Sequence, residues 1–248
     1  MATLRAQDAR KVFGIRWIAA SLLAFGLSAP LAQATTVTYS TPAGDTSGGQ
    51  PVDVQATFTT DANTITVTIR NLEADPTSST QALHGIDFTF DSGTTNGSSI
   101  SSSSAIVRTV NEDGSYTDSG PTSTGWTLSR VDTTHLVLAP TSNALSIIGD
   151  PGSNNRYNNA DGGIAGNGVG NPFLAGLVQF TLVVPGVTVV TQVDSVTFNF
   201  ASNFDLTGVT SDHGTPTPEP STLVTAGIGM VALGLYRAFR RRAKPKTA

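Results

Sequence analysis

Between Ala56 and Arg70 the chain alternates side chains almost one for one. Ala56, Phe58, Ile65, Val67 and Ile69 interleave with Thr57, Thr59, Thr64, Thr66, Thr68 and Arg70, and Asp61-Ala62-Asn63 separates the two runs. A period of two places successive side chains on opposite faces of an extended chain, which no helix can do. The run therefore predicts a β-hairpin with β-branched residues on both faces. Further alternating or apolar runs occur at Ile86–Phe90, Ala105–Val110, Trp126–Val131, Leu136–Leu138, Leu177–Val184 and Val193–Phe200. Gly, Asn, Ser and Thr clusters that favour turns lie between them, and no stretch carries a sustained helical repeat. Short strands with polar connections predict an all-β fold, a single antiparallel β-sandwich. Its expected core is Phe58, Ile65, Val67, Phe88, Phe90, Trp126, Leu138, Phe180, Leu182, Val196 and Phe198.

Both ends differ from this middle. At the start, Arg5, Arg10, Lys11 and Arg16 precede an apolar run from Trp17 to Leu27, and Ala32-Gln33-Ala34 supplies an A-x-A cleavage site. That order is a secretory signal peptide, so the mature chain is expected to begin at Thr35. At the other end, Pro218-Glu219-Pro220 precedes the uncharged run Ser221 to Tyr236, and Arg237, Arg240, Arg241, Arg242, Lys244 and Lys246 follow. Sixteen helical residues reach only about 24 Å against a hydrocarbon core of roughly 30 Å. Extension through Ala238 and Phe239, with Arg237 snorkelling, gives a marginal membrane helix over 221–239. The run has no polar face, and the cations behind it fix that end in the cytoplasm.

The order of motif, span and arginine cluster resembles the PEP-CTERM sorting signal, and the resemblance covers about thirty positions. It implies export from a Gram-negative-type bacterium through the Sec machinery, retention by the tail, and recognition by exosortase. That enzyme is an integral-membrane, cysteine-protease-like protein expected to cut near Pro218, Glu219 and Pro220. Proteins with such tails are often tied to extracellular polysaccharide, biofilm or floc production. The same tail has been labelled an ice-binding protein C-terminal domain, a description that says nothing about ice binding by the rest of the chain. The expected organisation is a signal peptide over 1–34, a sandwich ectodomain over 35–206, a linker over 207–217 and the sorting signal over 218–248. Gly208, Gly214 and Pro216 disfavour regular structure in the linker.

Removing the ends changes the charge. Between Thr35 and Thr217 there are four cations, Arg70, Arg108, Arg130 and Arg156, against sixteen Asp and Glu, a net charge of −12 where the whole chain carries −4. Nucleic acid is thereby an unsuitable partner, because binding it requires Lys and Arg to neutralise phosphates. The chain has no cysteine, so an exported body must rely on core burial or ions in place of disulfides.

Two stretches read as irregular. Ser92 to Ser104 is Gly/Ser/Thr-rich and reads as a flexible connector or solvated edge. Asp150 to Asn171 crowds Asp150, Asn154, Asn155, Asn158, Asn159, Asp161, Asn167 and Asn171 into one loop. Such oxygen donors suit Ca²⁺, with Asp150, Asn154 and Asp161 as candidate ligands, yet the spacing fits no EF-hand frame and the same residues favour tight turns.

Catalytic signals are sparse. His84 and His135 fall at strand starts and His213 in the linker, with no paired-histidine metal motif and no G-x-S-x-G elbow. Asp87 points away from Ile86 and Phe88, as either a surface carboxylate or one acid of a glycan hydrolase whose second carboxylate is not placed. The expectation is a non-catalytic structural or exopolysaccharide-associated component at the cell surface or outside the cell. The alternatives are a carbohydrate-binding module with a Ca²⁺-dependent loop and a glycan-active hydrolase. Tyr39, Tyr116 and Tyr157 are the aromatics expected to stack on sugar rings, and the Ser/Thr-rich surface is a candidate for glycosylation.

Overall fold

The computed structural model describes residues 34–92, 95–141, 144–165, 171–202 and 205–210. The expected signal peptide through Gln33, the expected tail helix over 221–239 and the motif at 218–220 lie outside them. Among the described residues no helix is long and apolar enough to cross a membrane.

Among the described residues thirteen strands follow one another: β1 (Thr35–Ser40), β2 (Thr46–Ser47), β3 (Gln50–Pro51), β4 (Val54–Asp61), β5 (Thr64–Asn71), β6 (Leu83–Phe90), β7 (Ser99–Val110), β8 (Tyr116–Thr122), β9 (Trp126–Arg130), β10 (His135–Pro140), β11 (Phe173–Val183), β12 (Val193–Ser202) and β13 (Asp205–Thr210). The predicted hairpin is β4–β5, paired from Val54–Asn71 to Asp61–Thr64. Asn63 closes it with φ +57°, a left-handed conformation that Asn tolerates better than most side chains. The β2–β3 hairpin turns on Gly48 and Gly49, both at positive φ, as a two-residue turn matched to strand twist requires.

One antiparallel sheet runs β1-β4-β5-β11-β7-β8 and a second runs β13-β12-β6-β10-β9. Aromatic contacts join them. Phe58 on β4 meets Phe88 on β6 with ring centroids 5.1 Å apart, and Trp126 on β9 meets Phe180 on β11 at 5.4 Å. All eleven expected core residues are buried, at 5% exposure or less. Each such Phe contributes roughly 1.5–3 kcal/mol by leaving water. At one end, Ile147 forms single bridges to Leu83 of β6 and Leu174 of β11, linking the sheets through the backbone.

The outward face of the six-stranded sheet is a grid of hydroxyls. Successive registers place Thr36, Thr59, Thr66, Thr181 and Ser102 in one row across β1, β4, β5, β11 and β7. Thr36 and Thr59 share a hydrogen bond of 3.0 Å, and Thr38 and Thr57 one of 2.9 Å.

Three expectations need correction. Ser99–Ser104, within the stretch read as a flexible connector or solvated edge, is the first half of β7; it pairs with β11 alone, since β8 is registered against Ala105–Val110, so it is a solvated edge whose pairing to one neighbour overrides its weak strand propensity. The sheet extends through Thr210, so Thr207–Thr210 at the start of the expected linker pair with β12. The Asn-rich loop builds its own small core, in which Tyr157, Ala160 and Ile164 pack with Val110, Ile148 and Phe173.

Candidate functional site

The outward face of the five-stranded sheet holds a cleft of about 360 Å³ lined by His84, Gly85, Asp87, Val137, Ala139, Pro140 and Asn199. Strand order assembles it. β6 lies between β12 and β10, so alternation brings Asp87 out beside Asn199 on one neighbour and beside His135 and Val137 on the other. Asn199 opposes Gly85, whereas the next pair is Phe200 with Leu83, so His84 is the extra residue of a β-bulge. The bulge turns its side chain to the cleft rim, where Nδ1 lies 2.8 Å from the Ser146 hydroxyl. Burial pushes the His84 imidazole below its ordinary value and favours the neutral ring.

The polar wall is held together internally. The Asn199 amide nitrogen donates to Asp87 Oδ2, and His135 Nε2 lies 3.4 Å from Asp87 Oδ1. Asn199 is 8% exposed, while the Asp87 side chain retains 28% exposure and faces the opening. Opposite stand Val137, Ala139 and Pro140, with the floor left low by Gly85. A Cβ on Gly85 would stand 3.2 Å from the Ala139 Cβ, closer than most contacts allow.

Sequence patterning places Asp87 outward correctly, but Asn199 and the apolar wall were not anticipated. The available signal was weak: Asn199, like Asp87, interrupts a run of apolar strand residues at the outward phase.

A second polar cluster lies at the Asn-rich loop. Arg108 on β7, its side chain 9% exposed, grips Asp118 on β8 with two hydrogen bonds of 2.7 Å. Its third nitrogen donates to the Tyr157 hydroxyl at 3.0 Å, and that hydroxyl donates to the Gly149 carbonyl at 2.8 Å. The guanidinium lies 4.1 Å from the centre of the Tyr116 ring. Burial alone would disfavour the Arg108 charge, but hydrogen bonds to Asp118 and Tyr157 outweigh it and hold the cation more firmly than usual. Burial pushes the Tyr157 phenol up to about 12, with Arg108 opposing the rise.

This cluster accounts for much of the loop's polar composition. The Asp150 carboxylate is 3.0 Å from Arg70 and 3.9 Å from Arg108. Asn154 accepts from the Arg156 backbone and donates to Asn158, while Asn158 donates twice to Asp75. Asp161 stands exposed in the short 3-10 turn Ala160–Gly162. Among the described residues no group of three or more His, Cys, Asp or Glu is gathered for a metal ion.

The tyrosines expected as sugar platforms must be reassigned. Tyr39 is 3% exposed and donates to the Val193 carbonyl at 2.5 Å, and Tyr157 is 2% exposed. Each hides its ring because a backbone carbonyl satisfies the buried hydroxyl. Tyr116 is half-buried, edge-on to Tyr157, and donates to Asn155.

Residues 216–242 match the PEP-CTERM protein-sorting motif, in agreement with the resemblance carried by Pro218, Glu219 and Pro220. The motif supports an exported protein that is sorted by exosortase, with membrane-anchored processing. No curated protein and no solved structure matches the chain.

Proposed function

We propose that this chain is a non-catalytic exopolysaccharide-associated protein of the cell surface or extracellular matrix, delivered by the Sec machinery and processed by exosortase. The observation that carries the reading is the sorting motif over 216–242 behind a strand-built body with four cations and sixteen carboxylates. A tail helix over 221–239 holds the precursor in the inner membrane, and Arg237, Arg240, Arg241 and Arg242 keep its end in the cytoplasm. Pro218 and Pro220 disfavour helix and present Glu219 in extended chain, the form a protease accepts. The non-catalytic part of the reading draws on the cleft, where Asp87 is the sole carboxylate among the lining residues and a hydrolase of two-carboxylate type needs a partner roughly 5–9 Å away.

The test is the full-length Glu219→Ala chain in a host that makes exosortase. Uncut protein is expected in the membrane fraction with its body folded, whereas release at the normal mature mass overturns the processing assignment. Co-sedimentation of the mature wild-type protein with the host's own exopolysaccharide tests the second half. A protein found wholly free of polymer contradicts it.

A further inference from the structure

We propose that the cleft between β12, β6 and β10 binds a ring of a neutral polysaccharide, with Asp87 and Asn199 taking its hydroxyls and Val137, Ala139 and Pro140 taking its C–H face. The proposal rests on the polysaccharide reading above and gives that reading a place on the molecule.

The cleft's chemistry chooses the ligand class. A carboxylate offers about four acceptor positions, and the contacts of Asp87 are to Asn199 and His135. The Asn199 carbonyl oxygen and His84 Nε2 have no hydrogen-bond partner among the described residues. The open hydrogen-bonding capacity is therefore rich in acceptors, and sugar hydroxyls are its natural donors. The Asp87–Asn199 pair is also fixed before any ligand arrives, so little side-chain freedom is lost on binding.

Charge excludes the commonest alternative. An anionic ligand would meet Asp87 without a compensating guanidinium, since Arg70, Arg108, Arg130 and Arg156 are bonded respectively to Asp150, to Asp118, to Thr95 with the Asp132 carbonyl, and to the Asp113 carbonyl. A cationic ligand would find one carboxylate, already facing an amide N–H and an imidazole, beside an apolar wall. A neutral ring matches both walls. Its hydroxyl edge meets the polar side, its C–H face meets Val137, Ala139 and Pro140, and the bare Gly85 floor lets it approach the sheet. The volume, about 360 Å³, falls at the lower end of small-ligand sites.

The experiment uses the full-length chain in detergent with three probes: a soluble neutral glucan, the polyanion alginate and the polycation chitosan. The wild-type chain is expected to hold the glucan and to prefer it to both charged polymers. Asp87→Asn and Ala139→Phe, the second filling the cleft, are each expected to weaken glucan binding at least about tenfold, the scale of one lost charge-assisted hydrogen bond. Glucan fragments should shift the ring resonances of His84 and His135 in the wild-type chain and leave those of His213 in place, a readout that does not depend on either variant folding. Glucan binding unchanged in both folded variants, or with His84 and His135 unmoved, overturns the cleft while leaving polysaccharide association intact. Tighter binding of alginate or chitosan overturns the neutral-ring assignment. No binding to any of the three overturns the proposal and counts against polysaccharide association as well.

Discussion

The Arg108 cluster and the Asp87 cleft use similar side chains for opposite ends. In the first, Asp118 receives both prongs of a guanidinium that is itself enclosed by Tyr116 and Tyr157, so the charged groups are spent on each other. In the second, Asp87 receives one amide and a more distant imidazole, and a hollow opens in front of it. A carboxylate signals a binding place when it keeps acceptor capacity beside empty volume. Where a buried arginine consumes that capacity, the same residue is a clasp. The Thr grid on the other sheet makes the point without charge: its hydroxyls pair across strands.

The sharpest break in this contrast comes from truncating each centre. Arg108→Met should cost about 3 kcal/mol, the low end for opening a buried ion pair, because 31% of the Asp118 side chain still reaches solvent. Asp87→Asn should stay within about 1 kcal/mol, as expected for a partly exposed pair. Urea unfolding of the two variants checks both, and equal losses would erase the distinction between clasp and site.

Next in size is the Tyr157 hydroxyl. Tyr157→Phe should lose about 1–2 kcal/mol with the bonds to Gly149 and Arg108. It should also alter the alkaline limb. The folded phenol titrates near 12 against an ordinary 10.0, so the unfolded chain releases this proton first as pH rises. The contribution is intact below pH 10.0 and is lost as pH climbs to about 12. The variant should show a shallower decline there, though not a flat one, because burial also raises Tyr39. Identical slopes in melting temperature against pH would refute the assignment.

The smallest effect belongs to the cleft rim. Burial lowers the His84 pKa, so below 6.5 the unfolded chain takes up the proton first and stability drains as pH falls. A His84→Gln chain should lose less between neutral and mildly acid pH than the wild type does, and parallel curves would count against a buried neutral ring.

What the sequence conveys divides along physical lines. Strands with β-branched alternation, such as Thr64–Asn71, announce themselves because one face must be apolar. Ser99–Ser104 does not, since serine has no strand preference and its place comes from pairing with β11. Tyr39 and Tyr157 look like surface aromatics until the carbonyls that receive their hydroxyls are seen. Half of the cleft was legible in the same way: Asp87 points outward by alternation, but Asn199 is 112 residues away and reaches it only through strand order. Arg108 and Asp118 are ten residues apart, yet nothing in that spacing separates a clasp from two exposed charges.

The seam at Ser146–Ile148 ties grip to integrity. Ile147 exchanges backbone hydrogen bonds with Leu83, Leu174 donates to the Ser146 carbonyl and accepts from Ile148, and the Ser146 hydroxyl steadies His84 at the mouth of the cleft. Swinging His84 outward would give up its bond to Ser146, whose carbonyl receives the Leu174 N–H, so any widening of the mouth begins at the joint between the layers.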